Sequence, residues 1–311
     1  MLTNNQLLVA KVEATVGSDS SPTAASNSIK CSPVDARLDF SPLSLAEVRR
    51  SLSSAKTRIG RKLINFSVTC NLKGSGAAGT PPEISPLLQA CGFAEAINSG
   101  TSVVYTPEST SSSMKAATIY FYYDGRVRKA VGCMGNVSIT ANPGELPLIV
   151  FNMRGRFLAE ADAALPTDQV FQSSEPVVVE NAGMSFGSFN DAVVSALSFQ
   201  SGNVLIDRRD VNSPEGIKSI SITGRDPKLS ATVEATVEAT KAWFGNFEDR
   251  VEEAIDVTIG TVAGNIVTLA FPKFCVDGGV DPQNSDGMVV FSLTGQTLEN
   301  TGGDNVTLTF A

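Results

Sequence analysis

The chain has 311 residues and a net charge of −8, and charged residues make up only 18% of it, against about 25% in an ordinary soluble domain. The acidic excess argues against a protein that grips nucleic acid, because that grip comes from Lys and Arg neutralising phosphates. The absence of histidine removes the commonest general base and metal ligand, and with them most hydrolase and metalloenzyme functions.

The length and the low charge predict two domains and either a large core or extensive assembly contacts. A single hydrophobic core stops growing at about this size. No stretch approaches the roughly 20 apolar residues of a membrane span, and the apolar patch Leu7–Ala10 lacks the flank and length of a signal peptide. We therefore expect a chain made and kept in the cytoplasm. The five scattered cysteines predict reduced, buried or partly buried thiols.

Residues 1–33 are rich in Ser, Thr, Ala and Asn, with one amphipathic patch from Leu7 to Val16. This composition is typical of an arm rather than a core element. We expect such an arm to become ordered on a neighbouring subunit.

Beyond the arm, apolar and polar residues alternate with a period of two between turn residues, which predicts a mainly β protein. In the segment Lys62–Thr69, the pattern places Leu63 on one face. Ile64, Phe66 and Val68 fall on the other face.

Two hairpins are predicted from turn residues. Asp124-Gly125 stands between 117–123 and 126–132, and this dipeptide supplies the positive φ angles of a two-residue turn. Gly264-Asn265 has an equivalent setting between 256–263 and 266–271.

Helices are expected to be few and short. One is predicted to begin at Pro81-Pro82-Glu83 and to end at Gly92, since proline favours helix starts and glycine favours helix ends. Two others are predicted at Glu238–Phe247 and around Leu45–Ser53.

An internal repeat organises the chain. Thr118–Gly155 aligns without gaps on Thr258–Gly295 at a shift of 140, and seven of the 38 positions carry the same residue. The alignment pairs the two predicted turns. We therefore predict an arm at 1–33, one copy of a β-rich domain at 34–158, a linker at 159–183 and a second copy at 184–311.

Motifs for catalysis or ligand binding are weak, and we predict no catalytic, cofactor-binding or metal site. Gly74–Gly79 lacks the following Lys-Ser/Thr of a phosphate-binding loop, so a flexible loop is expected. Glu248-Asp249 and Glu252-Glu253 are interpreted as solvated surface, although sequence alone leaves a paired-carboxylate glycosidase open. Asp277, Asp281 and Asp286 lack the spacing of a calcium loop.

Positive charge is concentrated in two places, and no interleaved aromatic motif accompanies either. We expect these residues to form salt bridges with an acidic neighbouring subunit. They are Arg49, Arg50, Arg58, Arg61, Lys62 and the pair Arg208-Arg209.

Several stretches, taken in order, resemble the tail tube (major tail) proteins of long-tailed bacteriophages. They resemble the family's N-terminal arm, its loop and short helix, its central hairpin and parts of its second half. The stretches are Leu8–Gly17, Gly74–Gly76 with Pro86–Phe93, Val104–Ser109, Thr118–Gly125, Gly132–Ile139, Gly144–Pro147, and Gly202–Gly224 with Asp210–Pro214 and Ile220–Arg225. Cys133 and Met134 depart from the family's usual residues.

The resemblance implies a β-sandwich or β-barrel-like domain with a short flanking helix, present here twice, and a structural role without enzymatic activity. It implies stacked rings around a channel for genomic DNA, which passes as non-specific cargo. Rings of three chains with pseudo-sixfold symmetry are favoured and rings of six remain open. Tape measure, tail terminator and tail-tip proteins are the implied partners, and no membrane is involved. The implied location is the virion tail, after synthesis in the bacterial cytoplasm.

Three other functions stay open from the sequence. One is another virion β-sandwich protein, such as a decoration, tail completion or fibre component. A second is the carboxylate glycosidase. A carbohydrate-binding module is the third, although a supply of one Trp and four Tyr argues against it.

Overall fold

The structure, a computed structural model, describes residues 5–45, 47–48, 50 and 53–311. The described part is mainly β, as predicted, and every pairing between its named strands is antiparallel. The strands are β1 (Gln6–Val12), β2 (Ser28–Ile29), β3 (Asp35–Ser44), β4 (Thr57–Asn71), β5 (Phe93–Asn98), β6 (Ser102–Pro107), β7 (Ala117–Tyr123), β8 (Arg126–Ala141), β9 (Leu148–Asp162), β10 (Gly183–Phe186), β11 (Val194–Gln200), β12 (Asn203–Arg209), β13 (Ile217–Arg225), β14 (Lys228–Glu234), β15 (Glu252–Ile259), β16 (Val267–Gly278), β17 (Gln283–Ser285), β18 (Met288–Leu298) and β19 (Thr307–Phe310). The helices are α1 (Ala24–Asn27), α2 (Ser85–Ala90) and α3 (Trp243–Glu248), with a 3-10 turn at Pro214–Gly216.

Two runs of strands pair in the same spatial order. In the first run the order is β3, β4, β9, β8, β7, β1. The second run has the order β11, β14, β18, β16, β15, β10. A short helix follows β4 in the first run and β14 in the second.

The two runs are joined into one sheet system with one main core. The end of β8 pairs with β11, while β16 pairs with β19 and β19 with β6. One hydrophobic cluster contains buried residues of both runs, including Phe66 and Phe151 from the first and Phe199 and Phe271 from the second. The rings of Phe199 and Phe271 lie 5.4 Å apart.

The predicted strand at Lys62–Thr69 is confirmed within β4, together with its two faces. Ile64, Phe66 and Val68 are buried in the main cluster. Leu63 is buried on the opposite side, in a second cluster. Strand β4 is therefore covered on both faces.

The first predicted hairpin is confirmed, and the second has a longer loop than predicted. Tyr123 pairs with Arg126 across Asp124-Gly125, and both turn residues have positive φ. Around Gly264, by contrast, the last pair is Ile259 with Val267, so residues 260–266 form the connection. A tertiary contact accounts for the longer loop, since the N–H of Gly264 donates to the carbonyl of Ala311 at 2.9 Å and not to a residue of the hairpin.

The N-terminal segment was expected to be an arm, and this expectation is wrong for residues 6–12. They form β1, which pairs with β7 along its whole length. Leu8 and Ala10 are buried in the main cluster, while Leu7 and Val9 are buried in a third cluster on the other face. Because both faces are covered, the strand appears in the sequence as a continuous apolar run.

The predicted helix within Pro81–Gly92 is confirmed as α2, but it begins at Ser85 and not at Pro81; Gly92 follows its C-cap, Cys91, with φ +82°. Helix α3 overlaps the prediction at Glu238–Phe247. The third prediction, Leu45–Ser53, lies partly outside the described residues, and the described residues within it are not helical.

Residues 163–182 have no regular secondary structure and lie along the first run of strands. The Nζ of buried Lys73 donates to the carbonyl of Gln172 at 3.2 Å and to that of Ser174 at 3.0 Å. The hydroxyl of Ser174 donates to the carbonyl of Gly74 at 2.6 Å. Lys73 also forms a buried ion pair with Glu83, with 3.5 Å between Nζ and Oε1.

Glu13 is a buried carboxylate just after β1. It accepts hydrogen bonds from the N–H of Gly17 at 2.6 Å, from the hydroxyl of Thr118 at 2.9 Å and from the N–H of Gly132 at 2.7 Å. Burial raises the pKa of Glu13 above 4.5, although these hydrogen bonds and the charge of Arg156 act in the opposite direction.

We expect the effect of Glu13→Gln on stability to depend on pH. Because the folded-state pKa is raised, the wild type loses stability as the pH rises from about 4.5 through the folded pKa. Glutamine does not ionise, so the destabilisation caused by Glu13→Gln should be larger at pH 4 than at pH 7. Urea unfolding of both proteins at each pH measures it; a destabilisation that grows with pH would contradict the raised pKa.

Candidate assembly surface

A hairpin made of β12 and β13 leaves the second run of strands and lies over the first. The pairing of β11 with β14 ends at Gln200 and Lys228, and the chain bends before β12 begins. Gly202 occupies the bend with φ +60°, and its carbonyl accepts a hydrogen bond from the N–H of Asp226 at 3.0 Å. A Cβ at Gly202 would lie 2.0 Å from the carbonyl oxygen of Asp226, so only glycine fits here.

The hairpin buries an apolar face against the first run. Ile217, Ile220 and Ile222 of β13 form the second hydrophobic cluster with Leu63 of β4 and Met134 of β8. Burial of each such side chain stabilises the folded chain by about 1.5–3 kcal/mol, so the packing of the hairpin on the first run contributes several kcal/mol.

Hydrogen bonds to the backbone fix the base of this hairpin. The amide of Asn203 donates to the carbonyl of Cys91 at 2.8 Å and to that of Gly135 at 2.9 Å. Arg225 donates from Nε to Oδ1 of Asn203 at 3.1 Å and from Nη2 to the carbonyl of Gly92 at 3.0 Å. These contacts join the two runs of strands at a second place.

An ion network joins the hairpin to the first run. Oδ2 of Asp207 accepts from Arg61 at 2.9 Å and from Arg154 at 3.1 Å, and Arg154 also reaches Asp39 at 3.2 Å. Lys62 lies 3.3 Å from Glu215. Arg61 and Lys62, expected to pair with a neighbouring subunit, therefore pair within the chain. Arg49 of the same predicted cluster lies outside the described residues.

Asp207→Ala should lower the free energy of unfolding by about 2 kcal/mol, because it removes the nearer of the two carboxylates that the partly buried guanidinium groups of Arg61 and Arg154 share and leaves them only Asp39. Asp162→Ala is the matched control, since that carboxylate is almost fully exposed and 4.0 Å from Arg126, and it should change stability by less than about 0.5 kcal/mol. Urea unfolding measures both free energies, and equal losses of stability in the two variants would show that the network does not stabilise the fold.

Several strands have a free edge among the described residues, and β3 and β17 are two of them. β3 pairs only with β4, and β17 pairs only with β18. On β3 and its neighbour β4, Leu38, Leu43 and Ile59 are exposed, and on β18 Met288 and Val289 are exposed. A free edge with exposed apolar side chains is a template for pairing with another chain.

Several residues of the weak ligand-binding motifs have structural partners. Gly74–Gly79 is not a phosphate cradle, since the N–H of Gly76 donates to the carbonyl of Gly264 at 2.9 Å and the two loops meet backbone to backbone. The carboxylate of Glu253 accepts from Lys241 and from Asn246. Asp277 pairs with Arg250 at 3.0 Å. Within the described residues no group of three or more Cys, Asp or Glu side chains is arranged to hold a metal.

The cysteines form no disulfide, and four of them are buried: Cys70, Cys91, Cys133 and Cys275. Cys31 is partly buried, and burial raises the pKa of its thiol to about 12. The prediction of reduced, buried or partly buried thiols is confirmed.

The described part of the chain is β-rich and has sheet edges without a partner strand. In the described part of the chain, no helix has both the length and the apolar character needed to cross a membrane. A family model described as phage tail tube protein matches residues 3–311. No curated protein matches the chain. The chain therefore belongs to the phage tail tube protein family, which makes it a structural component of a virion tail that assembles into a tube with other tail components.

Proposed function

We propose that this chain is the repeating subunit of the tail tube, forming stacked rings around a channel through which genomic DNA leaves the virion. The observation that carries the proposal is the family match over residues 3–311. The free edges of β3 and β17 support it, because a subunit that polymerises needs surfaces that are incomplete in the single chain.

We further propose that the chain is a duplication, with tube domains at 34–158 and 184–311, a linker at 159–183 and a segment at 1–33 that contributes β1 to the first domain. The identical order of six strands in the two runs supports the duplication. Three chains then supply six domains to a ring with pseudo-sixfold symmetry.

The proposed mechanism is electrostatic and not catalytic. Three chains carry 3 × −8 = −24 formal charges per ring. Where part of this charge faces the channel, it repels the phosphates of DNA and keeps the genome from adhering to the wall. The tape measure, tail terminator and tail-tip proteins are the proposed partners.

Electron microscopy and mass photometry of the purified chain test this function. We expect hollow tubes, or rings of three chains. Rings of six would keep the function and overturn the duplicated ring. A chain that stays monomeric at all concentrations and does not polymerise on purified tail tips would overturn the function.

A further inference from the structure

The pairing of β8 with β11 is a joint between the two runs of strands. In this joint Ser138, Ile139, Thr140 and Ala141 pair with Gln200, Phe199, Ser198 and Leu197. Phe199 is 1% exposed, and Ile149, which pairs with Ile139 on the next strand, is 0% exposed. One face of the joint is therefore buried and apolar, while Thr140 and Gln200 are exposed on the other.

Each side of this joint has a counterpart elsewhere in the chain. At the shift of 140, β9 corresponds to β18, so Val150 corresponds to Val290. Val150 pairs with Ser138, and Val290 pairs with Gln283. Hence Gln283, Asn284 and Ser285 of β17 occupy the place of Ser138, Ile139 and Thr140.

The same reasoning connects β11 with β3. Gln200 pairs with Lys228, which pairs with Gln296 on the next strand. In the same way Asp39 pairs with Leu63, which pairs with Arg156 on the next strand. Gln296 and Arg156 again differ by 140. Ala36–Asp39 therefore occupy the place of Leu197–Gln200, and Leu38 corresponds to Phe199.

Corresponding positions differ sharply in exposure. Leu38 is 38% exposed where Phe199 is buried, and Val289 is 50% exposed where Ile149 is buried. Both positions belong to free edges among the described residues, Leu38 to that of β3 and Val289 to β18 beside that of β17. The edge of β17 corresponds to β8, and the edge of β3 corresponds to β11, the two strands that pair in the joint.

We propose that β3 of one chain pairs antiparallel with β17 of a second copy, with Leu38 opposite Asn284 and Arg37 opposite Ser285. The proposal rests on the tube function, for which it supplies the contact between subunits. Arg37 on one edge and Asp286 beyond the other place opposite charges at adjacent positions. Because the two patches differ, the contact is head to tail, and its repetition gives a ring when the rotation from one copy to the next divides a full turn evenly.

Cysteine cross-linking tests the register. Leu38→Cys is mixed with Asn284→Cys, and Arg37→Cys with Ser285→Cys, and each mixture is oxidised and run on a non-reducing gel. Neighbouring antiparallel pairs alternate between a wider and a closer Cα spacing, so one of the two mixtures has the spacing that suits a disulfide. We expect covalent dimers in at least one mixture and in neither single variant.

The double variant Leu38→Cys/Asn284→Cys, or Arg37→Cys/Ser285→Cys if that register cross-links, should give a ladder that ends at the number of chains in the ring. Leu38→Cys mixed with Val211→Cys is the control, because Val211 is exposed in the turn between β12 and β13, away from the proposed contact, and should give no dimer. Equal cross-linking in this control would overturn the register.

The outcomes separate the contact from the function. Tubes or rings of the wild type without a cross-link in either mixture would overturn this contact and keep the tube function. A cross-link without rings or tubes would keep the contact and overturn the function. Leu38→Lys should raise the concentration needed for assembly about tenfold, because it places a charge on a pairing edge, and should leave the unfolding midpoint unchanged.

Discussion

Gly202→Ala is expected to lower the free energy of unfolding by about 3 kcal/mol and to release the β12–β13 hairpin from the first run of strands. An L-residue at φ +60° costs about 1–2 kcal/mol on its own. The added Cβ would in addition lie 2.0 Å from the carbonyl oxygen of Asp226, which belongs to the backbone and cannot rotate away. The bend must open, and the opening withdraws Ile217, Ile220 and Ile222 from their cluster.

Gly216→Ala separates the two contributions. Gly216 has φ +72°, and a Cβ there would meet nothing within 4 Å, so only the conformational cost of about 1–2 kcal/mol applies. Urea unfolding gives the stabilities, and limited proteolysis of 210–216 reports release of the hairpin. Equal losses in the two variants, with equal proteolysis, would show that the close approach at Gly202 does not hold the hairpin.

Leu8→Asp is expected to prevent stable folding, with a loss of about 4 kcal/mol or more. Leu8 is buried at the centre of β1, between β2 and β7, and its side chain lies in the main cluster. A carboxylate there has no described cation beside it, and an unpaired buried charge is among the most destabilising substitutions. Circular dichroism and urea unfolding of the purified variant measure the loss.

Val16→Asp provides the control, because Val16 lies beyond β1 and is exposed. It should change stability by less than about 0.5 kcal/mol. If Leu8→Asp folds as well as Val16→Asp, the N-terminal segment is an arm after all and β1 contributes little to the single chain.

Local patterns predicted the elements whose structure depends on local chemistry. Asp124-Gly125 adopts the turn that its residues favour, and Pro81 and Gly92 bracket the predicted helix. The alternation in β4 identified both of its faces, because each face packs against a different cluster.

The elements that were missed depend on contacts between distant residues. In the sequence β1 stands among residues rich in Ser, Thr and Asn, and its pairing with β7 and β2 makes it a strand. The loop at Gly264 is set by the C-terminus and by the loop at Gly76. β17 lies between Asp281 and Asp286, two aspartates without the spacing of a calcium loop, and no sequence pattern predicts that Gln283–Ser285 pairs on one side only.

The joint between β8 and β11 has a consequence for the energetics of ring closure. In a ring of three such chains, three of the six domain contacts are intramolecular, and a peptide linker holds their two sides at an effective concentration in the millimolar range. Only the remaining three contacts depend on the concentration of free subunits, so fewer independent molecules lose translational freedom in each ring. The two kinds of joint consist of different residues. Substitutions in β3 and β17 can therefore lower the affinity between chains, and so change the rate of subunit exchange, while the pairing of β8 with β11 keeps the stability of the single chain.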